Sequence, residues 1–233
     1  MCYGVATMTS VLALLLSAVL HIAPATAAPK VINMGYPGFN TAELDARLDE
    51  ALQIAKPKYV ILMAGANDAL NDKKFLSAEQ TRLHLQAMVR HAQASGATVL
   101  LVTIHDPDLK RLLQRHRPED YGASSPLERL AMVNSIVVAV ALRQNATVVD
   151  FHRTLARAGG ANTDLSTDGV HLTAKGYGML ARAVRAKLPE EIPAQDTVLC
   201  FGDSLTYGQG VRARNAEETP LTYPSQLRQL LQK

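Results

Sequence analysis

Five positions in this sequence have the residue types that nucleophilic acyl chemistry requires. A serine hydroxyl is a weak nucleophile at neutral pH. It needs a neighbouring base, a group that holds the base in one tautomer, and donors aimed at the oxyanion that develops on the attacked carbonyl. Ser204 follows the apolar run 197–201 and the pair Gly202-Asp203, where glycine permits a sharp bend. His171 is the candidate base, and Asp168, on the same short segment, is the candidate partner for its second ring nitrogen. The backbone N–H groups of Ser204 and Gly38 and the side-chain amide of Asn67 are the candidate oxyanion donors. Asp203 reads as a turn residue, since Asp commonly accepts hydrogen bonds from nearby backbone N–H groups.

These positions need elements that bring them together. From Lys30 onward, short runs rich in β-branched residues alternate with amphipathic helical patterns, the sequence form of a parallel sheet covered on both faces. The runs are 31–34, 59–63, 98–104, 147–149 and 197–201. Between them Leu44, Leu48, Ala51 and Leu52 make one helical stripe, Leu85, Met88, Val89 and Ala92 another, and Tyr177, Leu180, Ala181, Val184 and Leu188 a third. Asn40 with Glu43, Ser77 with Gln80, and Ser125 with Glu128 behind Pro126 are helix-start signals. In such a sheet, the loops leaving the C-terminal ends of the strands gather on one edge, where ligands bind. That edge should hold 35–38, 64–68 and 202–204. The stretch 189–196 reads as an ordinary helix-to-strand loop, so residues 29–233 are expected to form a single domain.

Phe201-Gly202-Asp203-Ser204-Leu205-Thr206, Gly65-Ala66-Asn67-Asp68 and Asp168-Gly169-Val170-His171-Leu172 together resemble the sequence blocks of the GDSL (SGNH) hydrolases, and Asn33-x-Gly35-x-x-Gly38 resembles their glycine block. The likeness covers nearly the whole chain after the N-terminal segment. It implies a flavodoxin-like three-layer α/β/α fold with a five-stranded parallel sheet. It also implies Ser204 as nucleophile, His171 and Asp168 as the rest of the triad, and Ser204, Gly38 and Asn67 as the oxyanion hole. Hydrolysis of carboxylic esters without metal or cofactor would follow. The order differs from the family's, because the serine block comes last; this is the pattern of a circular permutation. By the resemblance, the final strand inserts between the first two. An esterase or lipase, a thioesterase, a lysophospholipase, a carbohydrate O-acetyl esterase and an acyltransferase all remain open, as does a non-catalytic carbohydrate- or lipid-binding module. The absence of Gly-x-Ser-x-Gly argues against an α/β-hydrolase elbow.

Composition narrows the partners. The 233 residues carry 24 basic and 21 acidic side chains, a formal charge of +3 too small and too mixed for a nucleic-acid footprint. A small, uncharged or weakly anionic substrate is expected, such as a lipid or acylated-sugar ester, for a monomeric protein. The apolar run 11–20, then Pro24 and Ala25-Thr26-Ala27, reads as a signal peptide within residues 1–28, giving a periplasmic or secreted protein with no stable membrane insertion after cleavage. Cleavage would remove Cys2 and leave Cys200 without a disulfide partner. His84, His91, His105, His116 and His152 lack metal-ligand spacing and read as surface or helix-face residues. The segment 105–125 carries Lys110, Arg111, Arg115 and Arg117 around Leu109, Leu112 and Leu113, the pattern of a short amphipathic helix that could cover the entrance as a lid, with Arg212 and Arg214 adding positive charge.

Overall fold

The computed structural model describes residues 1–3 and 28–232. The apolar run read as a signal sequence lies outside the described residues. Five parallel strands form one sheet: β1 (Lys30–Gly35), β2 (Tyr59–Met63), β3 (Thr98–Val102), β4 (Thr147–Val149) and β5 (Thr197–Gly202), in the order β1-β5-β2-β3-β4. The last strand therefore sits between the first two, with Val31 opposite Val198 on one side and Tyr59 opposite Val198 on the other.

Handedness fixes which face each helix covers. A parallel crossover is right-handed, so successive crossovers advancing the same way across the sheet lie on one face, and a return crossover lies on the other. The advance from β1 to β4 carries α1 (Thr41–Ala55), α3 (Ala78–Ala94) and α5 (Pro126–Arg143), which pack side by side. The return from β4 to β5 carries α6 (Phe151–Arg157) and α7 (Ala174–Arg185); α7 packs on α9 (Tyr223–Leu230), and α9 packs on β1. Short helices α2 (Ala66–Leu70), α4 (Leu109–Leu112) and α8 (Ser204–Tyr207) lie in the loops between these elements.

Local chemistry starts the long helices where the sequence suggests. Asn40, Ser77 and Ser125 each form a reciprocal capping box with Glu43, Gln80 and Glu128, satisfying two end groups at once. The buried stripes of α1, α3 and α7 include Leu44 and Leu48, Leu85 and Met88, and Leu180 and Val184. The segment Pro118–Arg143 has the length and apolar composition to cross a membrane; in this fold its Leu130, Val133, Val137 and Val140 are buried, and α5 packs on β3 and β4.

Strand β5 is almost wholly covered: Val198, Leu199, Cys200 and Phe201 have no exposed surface. That is the consequence of a central position with helices on both faces, and truncating Phe201 to Ala would cost about 3–5 kcal/mol. Cys200 is a free thiol, and burial pushes it up to about 12, so it is an inert core residue.

One strand is shorter than its sequence suggests. The run 98–104 stops pairing at Val102 because β4 ends at Val149. The amide and carbonyl of Ile104 turn instead to the side-chain amide of Asn134 on α5, at 2.8 and 2.7 Å.

Candidate active site

The serine stands where β5 leaves the sheet. Gly202 is required there for close approach rather than for a sharp bend: it remains in the strand, and a Cβ would lie 2.1 Å from the Met63 carbonyl oxygen. Asp203 then caps α8, its Oδ1 accepting from the Leu205 amide at 2.9 Å, the turn-residue role expected of it. Its other oxygen is buried without a partner among the described residues, and burial, with the charge of Asp68 adding to it, pushes the carboxyl up to about 7. Ser204 itself is 7% exposed.

Two neighbouring loops complete this side. Tyr36 N–H donates to the Gly202 carbonyl at 2.8 Å, tying the first loop to the serine turn. Gly38 has φ +81°, a conformation open to glycine at little cost, and nothing lies within 4 Å of where its Cβ would be. On α2, the Asn67 amide donates to the Phe39 carbonyl at 2.9 Å, and its oxygen accepts from Asn71 at 3.2 Å. Its orientation is thereby fixed, with one N–H uncommitted. Neither the Ser204 nor the Gly38 N–H has an acceptor among the described residues. Asp68 anchors α2 from behind by accepting from the Thr41 amide and hydroxyl and from the Thr81 hydroxyl.

His171 Nε2 lies 3.0 Å from Ser204 Oγ, and His171 Nδ1 lies 2.7 Å from Asp168 Oδ2. The other Asp168 oxygen accepts the Val170 and His171 amides at 3.0 and 2.8 Å. Burial pushes the Asp168 carboxyl up, but the His171 hydrogen bonds and charge and the Val170 amide outweigh it and hold the group well below the usual carboxylate range. A carboxylate ionised at neutral pH is the kind of partner that can hold an Nδ1–H tautomer and leave Nε2 facing a hydroxyl.

The segment after β3 clamps the Asp168–His171 loop. His105 Nε2 meets the Val170 carbonyl at 2.9 Å, and the Asp108 amide donates to the Gly169 carbonyl at 2.8 Å. Arg111 donates to the Ser166 carbonyl at 2.9 Å, to the Ala161 carbonyl and to Asp108. Arg115 pairs with the same Asp168 oxygen that faces His171. The expected amphipathic helix is present as α4, and Leu112, Arg115 and His116 do line the entrance, but this segment is fastened to the loop beneath it. His105 also departs from its expected surface place. It is 2% exposed, packs edge-on against Phe151, and burial pushes its imidazole down to about 4. His84, His116 and His152 are partly exposed and pair with Asp45, Asp72 and Asp106. Among the described residues, no three His, Cys, Asp or Glu side chains converge as metal ligands.

The cleft that results has a volume of about 270 Å³. Gly38, Asn67, His171 and Ser204 line it, and Asp168 stands behind His171. All five positions nominated by the sequence thus come together at one edge of the sheet. Sequence reasoning missed the anchoring roles of His105 and Arg111, whose partners lie 65 and 55 residues away.

A family model described as the GDSL-like lipase/acylhydrolase family matches residues 7–179. That span contains Gly38, Asn67, Asp168 and His171 and ends before Ser204. The esterase TesA of Pseudomonas aeruginosa is 28% identical over 142 residues, 61% of this chain and 61% of that protein. The chain therefore matches about three-fifths of this relative's length. Among solved structures, a lipase/acylhydrolase from Enterococcus faecalis is similar with a TM-score of 0.53 at 25% identity, covering 65% of this chain and 71% of that one. An acetylxylan esterase from Geobacillus stearothermophilus shares the fold with a TM-score of 0.52 at 21% identity, covering 64% and 68%.

Proposed function

Because the chain belongs to the GDSL-like lipase/acylhydrolase family, we propose that it is a serine esterase that cleaves carboxylic esters through an acyl-enzyme on Ser204. The observation that carries this reading is the relay Asp168–His171–Ser204, with gaps of 2.7 and 3.0 Å, at the mouth of a cleft. His171 Nε2 takes the hydroxyl proton as Ser204 Oγ attacks the ester carbonyl carbon. The negative charge that forms on the carbonyl oxygen meets the uncommitted N–H groups of Ser204, Gly38 and Asn67. His171 then passes the proton to the leaving alkoxide, and the C–O bond breaks. In the second half, His171 takes a proton from water, the hydroxide attacks the acyl carbon, and Ser204 leaves with the proton returned.

The cleft volume lies just below the usual range of ligand pockets, which favours short acyl groups. Hydrolysis of 4-nitrophenyl acetate, butyrate and decanoate by the wild-type and Ser204→Ala proteins tests the reading. The wild type should favour the two short esters, and the variant should lose at least about 10³-fold in kcat. Wild-type protein inactive on all three contradicts it.

The order of the blocks is read as a circular permutation. Two features favour this. The span matched to the family ends before Ser204, whereas β5 lies between β1 and β2 in the sheet. The Arg228 guanidinium on α9 also donates to the Val31 carbonyl at 2.9 Å, so the end of the last helix adjoins the start of the first strand. A chain rejoined by a short linker from residue 232 to residue 29 and opened within 189–196 should fold and retain hydrolysis. Loss of the folded state in that chain counts against a permuted order. Residues 29–233 are read as one folding unit, exported by the N-terminal segment; N-terminal sequencing of protein recovered outside the cytoplasm should begin near Ala28.

A further inference from the structure

The walls of the cleft carry an unequal set of charges. Arg115, His116, His171 and Arg214 line it, and among the described residues no Asp or Glu does. Behind the walls, Asp168 is shared by His171 and Arg115, and Asp72 accepts from His116. Arg214 has no hydrogen bond or ion pair among the described residues, and Glu217, three residues on, is exposed and unpaired with it. One positive charge at the entrance is thus uncompensated. Arg115 also has spare capacity, because a guanidinium has five N–H donors and Arg115 commits one nitrogen to Asp168.

The loop that presents Arg214 is braced. The Tyr207 hydroxyl donates to the Ala213 carbonyl at 2.8 Å, and Arg212 donates to the Ala216 carbonyl at 2.9 Å while stacking 4.0 Å above the Tyr207 ring. Tyr207 ends α8, the helix that begins with Ser204. The backbone on both sides of Arg214 is therefore tied to the element that carries the nucleophile. Arg212, two positions earlier, braces the loop through its Nε and does not line the cleft.

We propose that Arg214, together with the unused donors of Arg115, forms an anion subsite, so that the favoured esters carry a carboxylate or phosphate a few bonds from the scissile carbonyl. This rests on the esterase reading and names the substrate class of that same site. Pro37, Leu70 and Leu112, which also line the cleft, take the apolar part of the substrate.

The test compares kcat/KM within two matched pairs. One pair is 4-nitrophenyl hydrogen succinate and 4-nitrophenyl butyrate, with the charge on the acyl side. The other is butyryl glycerol phosphate and monobutyryl glycerol, with the charge on the alcohol side. The wild type should prefer the anionic member of one pair by about fivefold, the scale of an exposed ion pair, and the pair that responds identifies the side. R214E should reduce that ratio about tenfold and R214Q by less, and added salt should reduce it in the wild type. K187E, which makes the same charge change beyond the end of α7 remote from His171, should leave the ratio as it is. Equal rates within both pairs, or a ratio that R214E does not move, overturns the subsite alone. Absence of hydrolysis in every arm overturns the esterase reading with it.

Discussion

Ser204 and His171 lie 3.0 Å apart, yet the backbone under each is held by different forces. The serine follows directly from β5, whose ladder runs between two parallel neighbours and whose four apolar side chains are fully buried. The histidine follows no strand. Its loop is tied by Ser166 pairing with Leu172 and by side chains and backbone of the segment that leaves β3, through His105, Asp108, Arg111 and Arg115. The proposed nucleophile is positioned by the core, and the proposed base by a local clamp of polar contacts. Damage to the first should appear as lost stability, and damage to the second as lost turnover from a folded protein.

The largest effect is expected at Gly202. A methyl there meets the Met63 carbonyl at 2.1 Å and the Thr206 hydroxyl at 2.5 Å, so strands must shift. Gly202→Ala should destabilise by about 3 kcal/mol or more, lowering Tm by roughly 6–12 °C, with activity lost in proportion to unfolding. A variant with wild-type Tm contradicts a serine seated by the strand.

Each region also hides an ionisable group that titrates between pH 4 and 7, and these two act in opposite directions. His105, beneath the histidine loop, has its folded pKa depressed to about 4 from 6.5. The unfolded chain binds the extra proton, so stability is full above pH 6.5 and falls as pH drops toward 4. Asp203, beneath the serine, is raised to about 7 from 3.8. Here the folded chain holds the proton, so stability is full below pH 3.8 and falls as pH rises through 7. Each term is on the order of 3 kcal/mol, and over the shared window they nearly cancel. Denaturant unfolding from pH 4 to 7.5 should separate them. Asp203→Asn should leave stability rising with pH, and His105→Gln should leave it falling. Parallel curves for the two variants contradict the assignment.

Smaller effects are expected from the clamp. Arg111→Met leaves the Ala161 and Ser166 carbonyls without their donor, a loss of about 2 kcal/mol. Its kcat on a neutral ester should fall about tenfold, with KM changing less. Arg115→Met, at a half-exposed pair, should cost about fivefold in kcat, part of it restored by Lys. If either variant raises KM alone, the segment acts on substrate binding and does not position Asp168.

The sequence makes the strands and capping boxes legible because their signals are local: apolar runs of β-branched residues, and a Ser or Asn three positions before Glu or Gln. The five candidate site positions are legible for the same reason, since each lies just after a run or just before a helix. What was hidden depends on distant partners. The early end of β3 is decided by Asn134 on α5 and by the short β4. Helix α6, capped by Asp150, is short enough that its pattern does not stand out. The burial of His105 follows from Val170 and Phe151, 65 and 46 positions away in the chain. Gly202 was marked as a special position, but its cause, the nearness of Met63, belongs to strand pairing.

The most direct measurement is the site of covalent capture. Wild-type protein treated with a fluorophosphonate at pH 7.5 should carry one adduct, located by peptide mass spectrometry on Ser204, and His171→Ala should slow its formation at least about 10²-fold. An adduct on another residue, or a labelling rate indifferent to His171, contradicts a serine activated by this histidine.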